Sequence, residues 1–178
     1  MLADAGIANA WNWVDKYRTI KNFLEEIRDN QNTAEGKLNE LISYRNKAAH
    51  GGTIDDVLPS NALLKLCDFV EALCQALVEL VTYQVLEQKK LVGQVREIGR
   101  ITEWFKRPKA GVAIVEETTL SVGESIFLVG EAYCQSAIIE SIKIDDVATN
   151  EVQTNSGMEL GLKFDVGAKK ELRLFQNI

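Results

Sequence analysis

Histidine is all but missing from this sequence: His50 is the only one in 178 residues. A single imidazole cannot build a histidine-rich zinc site, and no Gly-x-Ser-x-Gly stretch accompanies it to signal a serine hydrolase triad. Cysteine is scarce and odd in number (Cys67, Cys74 and Cys134), with no Cys-x-x-Cys pair, which excludes a disulfide framework and a ribbon-type metal site. Cys67 and Cys74 stand seven apart in an apolar helical pattern and are expected to be buried, reduced thiols. No Gly-x-x-x-x-Gly-Lys-[Ser/Thr] occurs, so a nucleotide-hydrolysing P-loop is absent. The adjacent pair Asp55-Asp56 is weak grounds for a metal site, and no metal or cofactor is expected. The most apolar stretch is interrupted by Lys65, Asp68, Glu71 and Glu79, far short of the roughly 20 apolar residues that span a bilayer. The opening "MLADAGIANA" has no basic region followed by an apolar run, so no signal peptide is expected and a cytoplasmic location is. Basic residues are in deficit, twenty against twenty-six acidic ones, for a formal charge of −6. Any nucleic-acid contact must therefore come from a local patch rather than a global basic field.

What is present divides in two near residue 90. Before it, apolar residues recur at three and four: Ala10, Trp13, Val14, Tyr17, Ile20, Leu24 and Ile27, then Leu38, Leu41, Ile42, Tyr44 and Ala49. Thr33 is placed to cap the second of these runs, and Gly51-Gly52 resembles a left-handed cap at its end. A third helix is expected from about Asn61 to Lys90, opened by Pro59-Ser60. It is apolar around most of its circumference, which two other helices cover only thinly. A second copy packed along it through an isologous two-fold interface supplies the missing cover. From Val92 onward the chain breaks into six strand candidates bounded by turns: "VREIGRITEWF", "AGVAIVEE", "ESIFLVG", "QSAIIESIKID", "GMELGLKFD" and "KELRLFQ". Six strands with no helical pattern between them point to a small antiparallel β-barrel. The expected architecture is thus an all-α bundle over residues 1–90 and a β-barrel over 91–178.

In the second half, "GRITEWFKRPKAGVAIVEETTLSVGESIFLVG", "IIESIKIDD" and "GMELGLKFD" resemble the second-domain β-barrel of translation factors such as elongation factor Tu. The resemblance implies a binding module, and tRNA or ribosomal RNA is the ligand it implies. One local feature fits. Arg96, Arg100, Lys106, Arg107 and Lys109 are interleaved with Trp104 and Phe105, and cations pair with phosphates while exposed aromatics stack bases. The competing reading is a solvated strand end and hairpin with the aromatic rings packed inward.

In the first half, "SYRNKAAHGG" sets Arg45 and Asn46 ahead of His50 with four residues between arginine and histidine. This Arg-Asn-x-x-x-His-Gly pattern, in an all-helical region ending in a long helix, resembles HEPN domains over roughly residues 10–90. The resemblance implies a metal-independent endoribonuclease that works as a homodimer, with Arg45, Asn46 and His50 as catalytic residues. The chemistry suits these residue types. Attack of a ribose 2′-hydroxyl on the adjacent phosphate needs a base, an acid for the departing 5′-oxygen, and a cation for the phosphorane. Histidine titrates near neutrality and performs either proton task. Arginine presents a planar, permanently charged fork to the non-bridging oxygens. Asn46 is suited to bond a phosphate oxygen or to orient His50. Five residues along a helix turn through about 500°, leaving Arg45 and His50 about 140° apart, so convergence needs arginine's length, a distorted helix end, or a second copy. The plain alternative is a histidine favoured by the helix dipole that caps terminal carbonyls.

The leading expectation is therefore a dimeric HEPN-type ribonuclease whose barrel delivers RNA, in a toxin or stress-response setting that would involve an antitoxin. The alternatives are a non-catalytic dimeric adaptor for RNA, a ribosome or a protein, and a HEPN partner of a nucleotidyltransferase.

Overall fold

The computed structural model describes residues 9–26, 33–50 and 59–178. Its helices are α1 (Ala10–Lys16), α2 (Arg18–Glu26), α3 (Ala34–Ala49) and α4 (Ser60–Leu91). The first apolar run forms two short helices rather than one. Tyr17 adopts an extended conformation between them, although its N–H still reaches the carbonyls of Trp13 and Val14 at 3.1 and 3.0 Å. The break accompanies a long-range contact: the Tyr17 hydroxyl donates to the buried Glu79 carboxylate on α4 at 3.2 Å.

Helix α3 begins where the sequence places a cap. The Thr33 hydroxyl accepts from the N–H of Gly36 at 3.1 Å, and Asp15 of α1 accepts from the N–H of Ala34 at 2.8 Å. Two of the four unpaired donors at the helix start are thereby satisfied. The helical core is small: Val14, Tyr17, Ile20 and Ala34 pack against Phe69, Ala72, Leu73 and Ala76 of α4, and Phe23 lies 5.1 Å from Phe69, ring to ring. Leu38 touches this core, but Ala34 alone is buried in α3, so the helix leaves the core toward its C-terminal end. No helix among the described residues is long and apolar enough to cross a membrane. Gly51-Gly52 and Asp55-Asp56 lie outside the described residues.

The expectation for Cys67 and Cys74 is overturned: both thiols are exposed. Helices α1 and α2 cover the side of α4 that carries Phe69, Leu73 and Ala76, and the side carrying the cysteines has no helix over it among the described residues. Spacing establishes that two residues share a helix face, but not that anything packs on it.

The strands follow as β1 (Val95–Phe105), β2 (Ala110–Val115), β3 (Thr119–Ser121), β4 (Ser125–Gly130), β5 (Tyr133–Ile144), β6 (Val147–Thr149), β7 (Glu151–Gln153), β8 (Met158–Phe164) and β9 (Arg173–Asn177). The six expected strands are β1, β2, β4, β5, β8 and β9. They pair in the order β4-β9-β1-β2-β8-β5, and β5 pairs with β4 to close an antiparallel barrel. The three short strands are additions: β6 extends β5 as a hairpin, and β3 pairs with β7 in a two-stranded ribbon. Closure removes the exposed sheet edges that would otherwise invite aggregation.

The barrel interior is filled by Ile98, Ile101, Val115, Ile126, Leu128, Ile139, Leu160, Leu162, Phe164 and Leu174. Alternation along β2 and β8 is regular, whereas bulges in β1 re-aim its residues between Glu97 and Gly99 and between Ile101 and Glu103. Glycine is required at the first bulge. Gly99 has φ +151°, and a Cβ there would lie 2.2 Å from the Ile114 carbonyl oxygen. By compactness the chain divides inside α4, into residues 1–80 and 81–178, ahead of the change from helix to strand that the sequence points to near residue 90.

Candidate nucleic-acid site

Arg45, Asn46 and His50 occupy the final turns of α3, where the helix has left the core. All three are exposed. Their mutual arrangement centres on Asn46. Its side-chain Oδ1 accepts from Arg45 Nη1 at 2.9 Å, and its backbone carbonyl accepts from the His50 N–H at 3.1 Å. His50 itself is the C-cap of α3, with φ −97° and ψ 15°, already off helical geometry. Its N–H still makes the i→i−4 bond to Asn46, so His50 keeps its place on the helix and the chain departs from helical geometry only after it. Of the two roles open to Asn46 in the sequence, the structure shows a third arrangement: its amide oxygen is engaged by the arginine.

The basic residues of the barrel separate into two groups. Lys106, Arg107 and Lys109 share the loop between β1 and β2, which contains a cis Arg107–Pro108 peptide. Lys106 and Arg107 are exposed, and the Lys109 ammonium donates to the carbonyl of Asp165 at 2.7 Å. Arg96 and Arg100 lie on β1. Arg96 donates to the Thr118 hydroxyl at 2.8 Å, and Arg100 stands in register with Arg173 on β9. Arg173 was not singled out by the sequence, because only strand pairing brings it beside Arg100.

The two aromatic residues differ. Trp104 is half-buried and stacks on Phe164, with ring centroids 6.0 Å apart and planes 15° from parallel. Phe105, one residue on, is 52% exposed. Strand alternation explains the split: Trp104 packs against the barrel interior and Phe105 turns outward.

Among the described residues, no three or more His, Cys, Asp or Glu side chains gather as a metal-binding group.

Comparison with known proteins bears on the first half. The family model described as RiboL-PSP-HEPN matches residues 7–83, so a HEPN-family domain is present there and includes Arg45, Asn46 and His50. Among solved structures, two crystal structures of the C-terminal domain of a candidate U32 peptidase from Geobacillus thermoleovorans match. One is a selenomethionine variant. Each is 11% identical with a TM-score of 0.40 and covers 46% of this chain, and the matches cover 99% and 91% of those chains respectively. No curated protein matches the sequence.

Proposed function

We propose that the protein is a metal-independent endoribonuclease whose reacting groups are Arg45 and His50 of two copies of the chain. The observation that carries this reading is the exposed Arg45–Asn46–His50 group at the C-terminal end of α3, inside the span matched to the HEPN family.

In this reading one His50 removes the proton from a ribose 2′-hydroxyl, which attacks the adjacent phosphorus. The other His50 protonates the departing 5′-oxygen. The bond to the 5′-oxygen breaks, leaving a 2′,3′-cyclic phosphate and a 5′-hydroxyl. Arg45 pairs with the non-bridging oxygens as charge gathers on the phosphorane. Asn46 restrains the guanidinium through the hydrogen bond at 2.9 Å, a positioning role. The need for both an acid and a base, with one histidine per chain, is what calls for two copies. The β-barrel, with its translation-factor likeness, serves as the RNA-binding module through Arg100, Lys106, Arg107 and Phe105.

The test is incubation of the purified protein with total RNA in EDTA. Cyclic-phosphate ends are expected from the unaltered chain and none from His50→Ala. Cleavage that survives the substitution removes His50 from the mechanism. A second reading, a non-catalytic RNA-binding adaptor, is favoured by the position of His50 as a helix C-cap, a place that suits histidine without any chemistry. Salt-sensitive RNA binding with no turnover is the result that selects it.

A further inference from the structure

Strand pairing sorts the loops of the barrel into two ends. Strands β1, β4 and β8 run one way and β2, β5 and β9 the other, since every pairing among them is antiparallel. The segments that follow β1, β4 and β8, residues 106–109, 131–132 and 165–172, therefore share one end. The segments between β2 and β4 and between β5 and β8, residues 116–124 and 145–157, share the other.

Charge divides with them. The first end holds Lys106, Arg107, Lys109, Lys169 and Lys170 against Glu131, Asp165 and Glu171, five cations and three anions for a net +2. The second holds Glu116, Glu117, Glu124, Asp145, Asp146 and Glu151 with no lysine or arginine, a net −6. Arg96, close to Lys106 in sequence, opens β1 at the acidic end and is bonded there to Thr118. A polyanion is attracted at one end of this barrel and repelled at the other.

The cations of the basic end belong to one surface. Lys109 Nζ donates to the Asp165 carbonyl at 2.7 Å, and the Lys109 carbonyl accepts from the Phe164 N–H at 3.2 Å, which joins the first loop to the third. Further along the third loop, the Tyr133 hydroxyl donates to the Gly167 carbonyl at 2.9 Å, and the Lys169 ammonium lies 5.7 Å from the Tyr133 ring centre. Loops tied down in this way lose less freedom when a ligand binds. All five cations are exposed, and Phe105, also exposed, ends β1 at the same rim. An exposed ring among cations can stack bases, and an unpaired strand offers it their faces where a duplex does not.

We infer that this end of the barrel is a docking surface for single-stranded RNA, with Lys169 and Lys170 binding its phosphates alongside Lys106 and Arg107. The inference rests on the RNA-binding reading of the barrel and deepens it. It requires nothing of His50.

The experiment uses the full chain carrying His50→Ala, in EDTA, so that binding is read without cleavage. The probe is a fluorescein-labelled oligouridylate, followed by anisotropy across a range of salt. The double variant Lys169→Ala/Lys170→Ala is expected to weaken binding at least tenfold at low salt. It should also flatten the slope of log K against log salt by about 1.4, two phosphate contacts on a single strand. Lys170→Glu alone serves as a second variant, and thermal melts check that both fold. Annealing the probe to oligoadenylate is expected to cost at least tenfold. Glu117→Lys, which changes the charge at the acidic end, is expected to alter binding less than twofold. Binding indifferent to Lys169 and Lys170, equal affinity for the duplex, or a gain from Glu117→Lys as large as the loss from Lys170→Glu would each overturn the inference while leaving the barrel an RNA-binding module. No binding of the probe by any form of the chain would overturn both.

Discussion

Arg45 and Asn46 are joined side chain to side chain, the guanidinium donating to the amide oxygen at 2.9 Å. Adjacent helical residues point in different directions, so the contact depends on the arginine folding back across its neighbour. It restrains a long, solvent-exposed side chain that would otherwise sample many rotamers. In the proposed reaction, Asn46→Ala is expected to lower kcat by about tenfold with little change in KM, the size of one lost hydrogen bond. Arg45→Ala is expected to lower it by about 10² to 10³, the range seen when an electrostatic stabiliser of a transition state is removed. Steady-state cleavage of a fluorogenic RNA measures both. Equal losses for the two variants would contradict a positioning role for Asn46.

The bond between Tyr17 and Glu79 has a consequence at alkaline pH. Burial first, then the neighbouring Glu79 charge and its hydrogen bond, push the Tyr17 hydroxyl from 10.0 up to about 12. A group whose folded value is raised favours the folded state below its unfolded value, and that favour is lost as pH rises through the folded value. Stability from this pair is therefore full below pH 10 and disappears between about 10 and 12. Urea midpoints of the unaltered chain should fall more steeply across that window than those of Tyr17→Phe. Parallel curves would exclude the pair as the cause.

Two glycines separate crowding from backbone strain. Gly93 has φ +72° with nothing near an added Cβ, whereas Gly99 adds to its φ of +151° a carbonyl oxygen at 2.2 Å and the Val115 Cα at 2.8 Å. Gly93→Ala is expected to destabilise by about 1 kcal/mol through conformation alone. Gly99→Ala is expected to exceed about 3 kcal/mol, because backbone of β2 must move. Thermal unfolding of the two variants gives the comparison. A Gly99→Ala midpoint no lower than that of Gly93→Ala would argue against the tight β1–β2 approach.

The neighbouring aromatics make opposite forecasts for RNA. Phe105→Ala removes an exposed ring and is expected to weaken RNA binding by about 1–3 kcal/mol while leaving stability nearly unchanged. Trp104→Ala removes a ring packed on Phe164 and is expected to lower stability first. Lys106→Ala and Arg107→Ala should each reduce the dependence of log K on log salt by about one counterion. Fluorescence anisotropy at several salt concentrations, beside thermal melts, distinguishes these effects. Salt slopes unaffected by both substitutions would take the β1–β2 loop out of the interface.

The local chemistry of the chain was readable without coordinates. Thr33 caps α3 because a hydroxyl one residue ahead of an apolar-periodic run is in reach of the first free N–H groups, whatever lies further away. The six barrel strands were legible from apolar runs between glycine-rich turns. The short strands β3, β6 and β7 were not, since three residues are too few to display a period. The Arg45–Asn46–His50 group was visible as a motif, but its exposure was not, because that depends on α3 leaving a core that other helices build. Arg173 escaped notice for a similar reason: it is distant in sequence from Arg100 and becomes its neighbour through the pairing of β1 with β9.

By itself, the amino-acid order determined the sequence of helices and strands, the place where one gives way to the other, and the residue types available for chemistry. These follow from side-chain periodicity and capping, which act over a few residues. Tertiary structure alone decided that Tyr17 would break the first helix to meet Glu79, that Trp104 would pack and Phe105 would not, and that the cysteine side of α4 would stand open. Burial is a property of what surrounds a residue, and surroundings are assembled from parts of the chain that no local pattern connects.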